Sequence, residues 1–281
     1  MEPSVGLIGL GLLGSAMASR LSAAGFRVIG LDPKWSEGLA IDRAASPSEV
    51  FERSDRVLLS LPTSAIAQEV LAQAEPALRS NHLVIDTTTG APDEMVAMAR
   101  GLRARDADYL EANVAGSSAG MREGVATLFV GGSASSCARA QDILDSLTNR
   151  GVHLGEVGAA SRFKLVHNLI LGLNRAALAE GLSFATAMGF DREVALEALR
   201  GTAADSEAMG AKGLRMATRS YVPLQARLSQ HLKDVGLMLG QAQGCGASVP
   251  LTETHRALLE VAQSRGFGAA DNSAIIEAYL D

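Results

Sequence analysis

Cysteine is nearly absent: the 281 residues hold two, Cys137 and Cys245, at no metal-ligand spacing and in no disulfide framework, so a reducing cytoplasm is the expected compartment and each thiol reads as inert and buried. No apolar run reaches the ~18 uncharged residues that a bilayer span needs, which predicts a protein with no membrane partner. The stretch VGLIGLGLLGSAMA has the apolar look of a secretory signal, but Glu2 and the lack of any Lys or Arg before it argue against one. Runs of Lys and Arg are missing too, and the net charge is -6. Nucleic acid and anionic membrane are therefore excluded as main partners, and a small anionic substrate would need a local basic pocket. His82, His153, His231 and His255 are scattered without ligand spacing, so no metal is expected. Nucleophile-elbow and kinase motifs are also lacking.

What is present is patterning. Hydrophobic residues make up 47% and charged residues 20%, the balance of an Ala- and Leu-rich enzyme long enough for two cores. Short apolar runs at 4–10, 27–32, 56–62, 82–88, 108–114 and 126–132 read as strands bounded by Gly, Pro, Asp or Thr. Helical patterns lie between several of them, at 12–25, 63–79 and 91–105, which implies a mostly parallel sheet covered on both faces. From about residue 160 strand signals stop, and helices are predicted over 161–189, 191–200, 204–218, 224–244, 250–265 and 271–280. The boundary falls in GEVGAAS, dividing a sheet domain (1–159) from an all-helical domain (160–281) joined by the long helix. A cleft between two domains commonly holds a ligand.

The first strand runs into GLGLLG: Gly9, Leu10, Gly11, Leu12, Leu13 and Gly14, in GxGxxG spacing and opening a helix. The first glycine makes the tight turn, the second lets backbone approach a pyrophosphate, and the third allows close helix-to-strand packing. The helix N-terminus offers free N–H groups and a positive dipole end. Strand two ends in Asp32, 18 positions after Gly14, near the ~20 where a carboxylate meets the adenosine ribose hydroxyls. The reading is an α/β chain whose first domain is a Rossmann dinucleotide-binding unit. Asp32 favours NAD, because its charge opposes the 2′-phosphate of NADP; Lys34 leaves room for NADP. Asp32 as a simple turn cap before Pro33 is the competing reading.

FKLVHNLILGLN (163–174) puts Lys164, His167, Asn168 and Leu171 on one helical face, polar where core is expected. A buried ammonium costs several kcal/mol unless it is paired or deprotonated, so such a lysine either reaches solvent or does chemistry.

Six segments in order resemble the β-hydroxyacid dehydrogenase family, which includes 3-hydroxyisobutyrate dehydrogenases, tartronate semialdehyde reductases and, more distantly, 6-phosphogluconate dehydrogenase. GLIGLGLLGSAMASRL is similar to the family's opening GxIGLGxMGxxMAxxL, with Leu13 in place of Met. LLSLPTS resembles its LP motif (Leu61, Pro62), and DTTTGAP its DxSTxxP, which implies Thr89 beside the nicotinamide ribose. EANVAGSSAGMREGVATLFVGG resembles the substrate loop DAPVSGGxxxAxxGxLxxMVGG, GAASRFKLVHN the GxGxxxKxxxN heading the long helix, and HLKDVGLML the KD motif, whose lysine, Lys233, approaches cofactor and substrate in relatives. The resemblance implies a cytoplasmic NAD-dependent (or NADP-dependent) oxidoreductase that interconverts a small 3-hydroxy acid and its oxo form. Lys164 would be the general acid/base and Asn168 the holder of the reacting oxygen. Backbone N–H groups around Gly116 and Ser117 would take the substrate carboxylate. Relatives are dimers or tetramers, so a homodimer or homotetramer is expected.

The departures concern substrate. The usual Ser-Gly-Gly of the loop is Ala115-Gly116-Ser117, so a hydroxyl leaves one position and appears two residues later. His167 gives KLVHN, like the phosphogluconate enzyme's KMVHN, and is expected either to contact a polyhydroxy acid or to hydrogen-bond within the cleft. Arg122 and Arg162 are further anion contacts to consider. The alternatives are a 6-phosphogluconate-like oxidative decarboxylase, an imine reductase-like enzyme, and a non-catalytic dinucleotide-binding protein.

Overall fold

The computed structural model describes residues 3–35 and 38–280; Met1, Glu2, Ser36, Glu37 and Asp281 lie outside the described residues. The chain divides into two compact units, Met1–Lys164 and Leu165–Asp281. The first holds β1 (Ser4–Ile8), α1 (Leu12–Ala23), β2 (Arg27–Leu31), β3 (Asp42–Arg43), α2 (Pro47–Arg53), β4 (Arg56–Leu59) and α3 (Ser64–Ala74). It continues through β5 (Leu83–Asp86), α4 (Pro92–Arg103), β6 (Asp108–Ala115), α5 (Ser118–Glu123), β7 (Thr127–Gly131), α6 (Ala134–Leu147) and β8 (Gly151–His153). The long α7 (Ala159–Ala187) crosses the division. Beyond it come α8 (Arg192–Leu199), α9 (Glu207–Ala217), α10 (Leu228–Cys245) and α11 (Pro250–Ser264).

The strands form one sheet in the order β3-β2-β1-β4-β5-β6-β7-β8, parallel throughout except between β6 and β7. Residues 116–126, between those two strands, are fewer than the dozen or so that a parallel crossover requires. Alternation along the strands feeds two cores: Val5, Leu7, Leu58 and Ile85 meet Met17 and Leu21 of α1 and Ile143 of α6. Ile8, Val57, Leu59 and Val84 meet Phe51 of α2, Leu71 of α3 and Met95 of α4. This is a Rossmann unit with both faces covered.

The second unit is helical. Leu178, Leu182, Met209, Met216, Val235, Met238, Leu259 and Ile275 build its core. Lys212 Nζ reaches both oxygens of the fully buried Asp271 (2.8 and 2.9 Å), and Asp271 also accepts the N–H groups of Gln225 and Ala226.

Several boundaries differ from the sequence reading, each for a local reason. Helix α10 begins at Leu228 rather than 224, because Asp271 draws the N–H groups of Gln225 and Ala226 out of any helix. The segment predicted as a helix over 271–280 is a 3-10 helix, Asn272–Ala278, tightened where Asp271 takes both the N–H and the hydroxyl of Ser273. Strands β3 and β8 are only two and three residues long, too short for a periodicity to show. Helices α2 and α6 went unpredicted although Ser46 and Ser133 cap them. Cys137 is half-buried, but Cys245 is exposed at the end of α10, not buried. No helix among the described residues is long and apolar enough to cross a membrane.

Candidate functional site

Packing requires two of the three glycines of the loop and leaves the third open. Gly9 sits at φ +97°, donates its N–H to Leu31 O (2.8 Å), and leaves no room for a Cβ, which would stand 2.3 Å from Ser60 O. A Cβ on Gly14 would stand 1.9 Å from Gly9 O, so the helix can lie on the strand only without one. Gly11 is the opposite case: a Cβ there meets nothing within 4 Å. It is the N-cap of α1 and supplies no side-chain acceptor, whereas Ser46, Thr63, Ser133, Asp191 and Ser206 cap α2, α3, α6, α8 and α9. The first N–H groups of α1 thus meet no capping side chain, and a dinucleotide pyrophosphate fits this bare, exposed backbone.

Leu10, Leu12 and Leu13 line the same turn, Leu10 buried and Leu12 exposed. Asp32 accepts from Leu10 N (2.6 Å) through one oxygen and from Lys34 N (2.7 Å) through the other. Its carboxylate therefore ties the end of β2 to the glycine loop, and the turn-capping role is present beside any role toward a ribose. Leu61 and Pro62 follow β4; Leu61 donates its N–H to Thr88 Oγ1 (3.3 Å). Thr89 lies half-buried after β5. Gly9, Asp32, Leu61, Thr89 and Ala115 all stand at C-terminal ends of parallel strands, and β1 and β4 meet where strand order reverses. Open α/β sheets bind ligands at that edge.

In the loop that the family resemblance gives to substrate, Ala115 ends β6, Gly116 takes φ +146°, and Ser117 caps α5 by accepting from Gly120 N (3.1 Å). The hydroxyl that appears at Ser117 is thus occupied with the turn, which sequence spacing did not reveal. Arg122 and Arg162 are exposed.

On α7, Lys164 is 7% exposed, so it is not a solvated surface lysine. One turn on, the Asn168 amide is held at both ends. Its Oδ1 accepts from His167 Nδ1 (3.1 Å), which puts the imidazole proton on that nitrogen, and its Nδ2 donates to Asp234 Oδ2 (3.3 Å). Asp234 also lies 3.2 Å from the neighbouring Lys233 Nζ. The family resemblance assigns a role to the lysine of the KD pair alone; the aspartate's hold on Asn168 is a finding of the structure, joining two segments that the sequence presents separately. Farther along, Arg175 Nη2 donates to His231 Nε2 (3.0 Å), and a Cβ on Gly172 would strike both His231 and His255. Burial pulls Arg175 down to about 10, and burial with the nearby Arg175 pulls His255 down to about 4. Among the described residues, no group of three His, Cys, Asp or Glu side chains is arranged to hold a metal.

Residues 4–155 match the family model described as the NAD binding domain of 6-phosphogluconate dehydrogenase, and residues 158–279 match the one described as NAD-binding of NADP-dependent 3-hydroxyisobutyrate dehydrogenase. The chain is 29% identical over 98% of its length to the 2-hydroxy-3-oxopropionate reductase of Escherichia coli K12, covering 96% of that protein. It is 30% identical over 98% of its length to the glyoxylate/succinic semialdehyde reductase 2 of Arabidopsis thaliana, covering 79% of it. In fold it resembles the crystal structure of 3-hydroxyisobutyrate dehydrogenase from Salmonella typhimurium, with a TM-score of 0.91 at 24% identity, across 98% of this chain and 99% of that one. Fold and glycine loop define a nicotinamide-dinucleotide-dependent oxidoreductase. The chain belongs to the β-hydroxyacid dehydrogenase family.

Proposed function

We propose that the protein interconverts a small 3-hydroxy acid and its 3-oxo acid or semialdehyde, with Lys164 as the general base in oxidation and the general acid in reduction. The observation that carries this reading is the pairing, one turn apart on α7, of a lysine 7% exposed with an asparagine whose amide is fixed at both ends. An amide nitrogen carries two hydrogens; Asp234 takes one, and the other holds the substrate oxygen. In oxidation, the hydroxyl O–H bond breaks and its proton passes to Lys164 Nζ as the carbinol C–H pair departs. When bound, the nicotinamide supplies the hydride acceptor or donor. Gly9, Leu10, Gly11, Leu12, Leu13 and Gly14 would hold its pyrophosphate, Asp32 the adenosine ribose, and Leu61, Pro62, Thr89 and Lys233 the remainder. NAD is the preferred cofactor, because the Asp32 carboxylate repels a 2′-phosphate. Ala115, Gly116 and Ser117 take the substrate carboxylate on backbone N–H groups, and His167 completes the substrate set by orienting Asn168.

In this reading the protein is cytoplasmic, its partner is a small hydroxy acid rather than nucleic acid or membrane, and it is a homodimer or homotetramer. Phe163, Val166, Ile170 and Phe184 leave exposed apolar side chains along α7 that a second copy covers. The test is initial-rate reduction of NAD and of NADP with 3-hydroxyisobutyrate, 3-hydroxypropionate, glycerate, threonate and 6-phosphogluconate. Turnover with at least one, faster with NAD, supports the reading. Lys164→Ala should lower kcat by at least ~10²-fold with cofactor affinity unchanged. Near-normal turnover in that variant refutes the assignment.

A further inference from the structure

The start of α7 is fastened to the sheet by an acid from the middle of β6. Glu111 is 1% exposed, and its Oε2 accepts the backbone N–H groups of Gly158 (2.7 Å) and Ala160 (3.2 Å). These are among the donors that a helix N-terminus leaves without intrahelical partners. Helices α2, α3, α6, α8 and α9 take this bond from the residue just before them, which fixes only the local turn. At α7 the acceptor is 47 residues away in sequence, so the bond fixes where the helix begins relative to the sheet.

A second observation points the same way. Gly131 on β7 is the register partner of Glu111, and a Cβ there would stand 2.5 Å from Glu111 Oε2, 3.0 Å from Ala160 N and 3.2 Å from Ala160 Cβ. The side chain is missing where the acid and the helix start pass each other. On its other side Glu111 is paired with Asp86, whose carboxylate takes Tyr109 Oη (2.7 Å) and Thr88 N (2.8 Å). Burial, and more weakly Asp86, push the Glu111 carboxyl upward in pKa, against the hydroxyl of Ser161 and the two helix N–H groups. Ala160 and Lys164 are four residues apart on α7 and share a face, and the Cα–Cβ bond of a helical residue tilts back over the preceding turn.

We propose that Glu111 is a positioning residue for Lys164: by holding the Gly158 and Ala160 N–H groups it sets the first turn of α7, in the space that Gly131 leaves open, and so places the lysine ammonium. This rests on the assignment of Lys164 as the acid/base. Misplacing a reacting group by ~1 Å can cost ~10²-fold in rate.

The test is a double-mutant cycle on the purified full chain, run with whichever acid of the panel above the wild type turns over best. Glu111→Ala should lower kcat by about 10-fold or more, with KM and the Kd for NAD changed by less than about twofold. Glu111→Gln keeps an oxygen for the two N–H groups and should recover most of the rate. In a Lys164→Ala background, Glu111→Ala should cost nothing further, because its effect acts through the lysine. Tyr109→Phe is the stability control: it cuts the bond to Asp86 in the same buried cluster and should lower Tm with kcat retained. Unchanged kcat in Glu111→Ala, a loss that adds to that of Lys164→Ala, or an equal loss in Tyr109→Phe would each overturn the proposal.

A readout independent of turnover separates this proposal from the functional reading. The chain has only four lysines, Lys34, Lys164, Lys212 and Lys233, so reductive ¹³C-methylation gives a resolvable set of NMR signals. The Lys164 signal should move in Glu111→Ala and return in Glu111→Gln, while Lys34 stays fixed. Loss of the functional reading with this pattern intact leaves the positioning standing; an unmoved Lys164 signal overturns it even if the enzyme is active.

Discussion

Replacing Gly14 and Gly11 separately by alanine should split folding from cofactor binding within a single loop. A Cβ on Gly14 would stand 1.9 Å from Gly9 O, against the 3.0 Å below which real Cβ contacts essentially do not occur, so α1 must move by more than 1 Å. The obstacle is a backbone oxygen at a turn itself pinned by Gly9 N to Leu31 O, and no rotamer change relieves it. Overpacking of a tight core costs ~1–3 kcal/mol, and the obstacle's rigidity puts this case at the upper end. Alanine's better helix propensity returns up to about 1 kcal/mol. A net loss of ~2 kcal/mol corresponds to a Tm lower by roughly 4–8 °C for a unit of this size. Gly11→Ala meets nothing within 4 Å and has φ -63°, which alanine adopts freely, so its Tm should stay within about 1–2 °C of the wild type.

Binding should show the reverse order of specificity. A methyl on Gly11 stands where a pyrophosphate must approach bare backbone, so the Kd for NAD, measured by calorimetry, should rise at least tenfold, about 1.4 kcal/mol, in a protein that is otherwise folded normally. Gly14→Ala should lose affinity only together with stability. An unchanged NAD affinity in Gly11→Ala would refute the placement of the phosphates on this loop. An unchanged Tm in Gly14→Ala would refute the packing argument.

Further outcomes follow from the second unit. His255, 2% exposed and held down near 4 by burial and Arg175, stays neutral in the fold while the unfolded chain takes a proton near 6.5. Stability therefore falls as pH drops from about 6.5 to 4, by on the order of 3 kcal/mol in all, and urea melts of His255→Gln should show a flatter profile across that window. Burial raises the Asp271 carboxyl, but the bonds from Lys212 and Ser273 outweigh it and hold it at about 2, so its contribution is complete above about 3.8 and disappears as pH falls toward 2. Lys212→Met should make that acid loss start at higher pH; an unchanged acid midpoint would count against the bridge. Asp234→Ala frees one end of the Asn168 amide and should lower kcat about tenfold with the Kd for NAD retained; equal changes in both would show that Asp234 acts on the cofactor instead.

The alternation of apolar runs identified the sheet and the helical C-terminal unit because burial on both faces leaves an unbroken apolar signature in β1, β4 and β5. Elements set by side-chain bonds from distant residues were not legible. The start of α10 depends on Asp271, more than forty residues downstream, and the start of α7 on Glu111, 47 residues upstream. Lys164 and Asn168 could be placed on one helical face because helical spacing is local, and the glycine loop could be placed between β1 and α1 for the same reason. The bonds from Asn168 to Asp234 and from Asp32 to Leu10 and Lys34 were not legible, because a polar side chain in a sequence does not announce which backbone or amide it will meet. Ser117 shows the same limit: its hydroxyl is visible in the sequence as a departure from the family's loop, but its bond to Gly120 N, the cap of α5, is not.

Two helix N-termini of the first unit are treated in opposite ways, and the difference divides the labour of the site. Helix α1 begins at a glycine that brings no acceptor, so its first N–H groups face outward as donors for an anionic ligand. Helix α7 begins with its donors already taken by a buried carboxylate. Left uncapped, that second positive end would leave the turn before Lys164 free to fray. The same elementary group, a row of backbone N–H donors, thus serves recognition where it is bare and placement where it is satisfied. On the positioning proposal, a chain that kept Gly9, Gly11 and Gly14 but lost Glu111 or Gly131 should still bind the dinucleotide, while its turnover falls by about 10-fold or more because the first turn of α7 no longer sets Lys164.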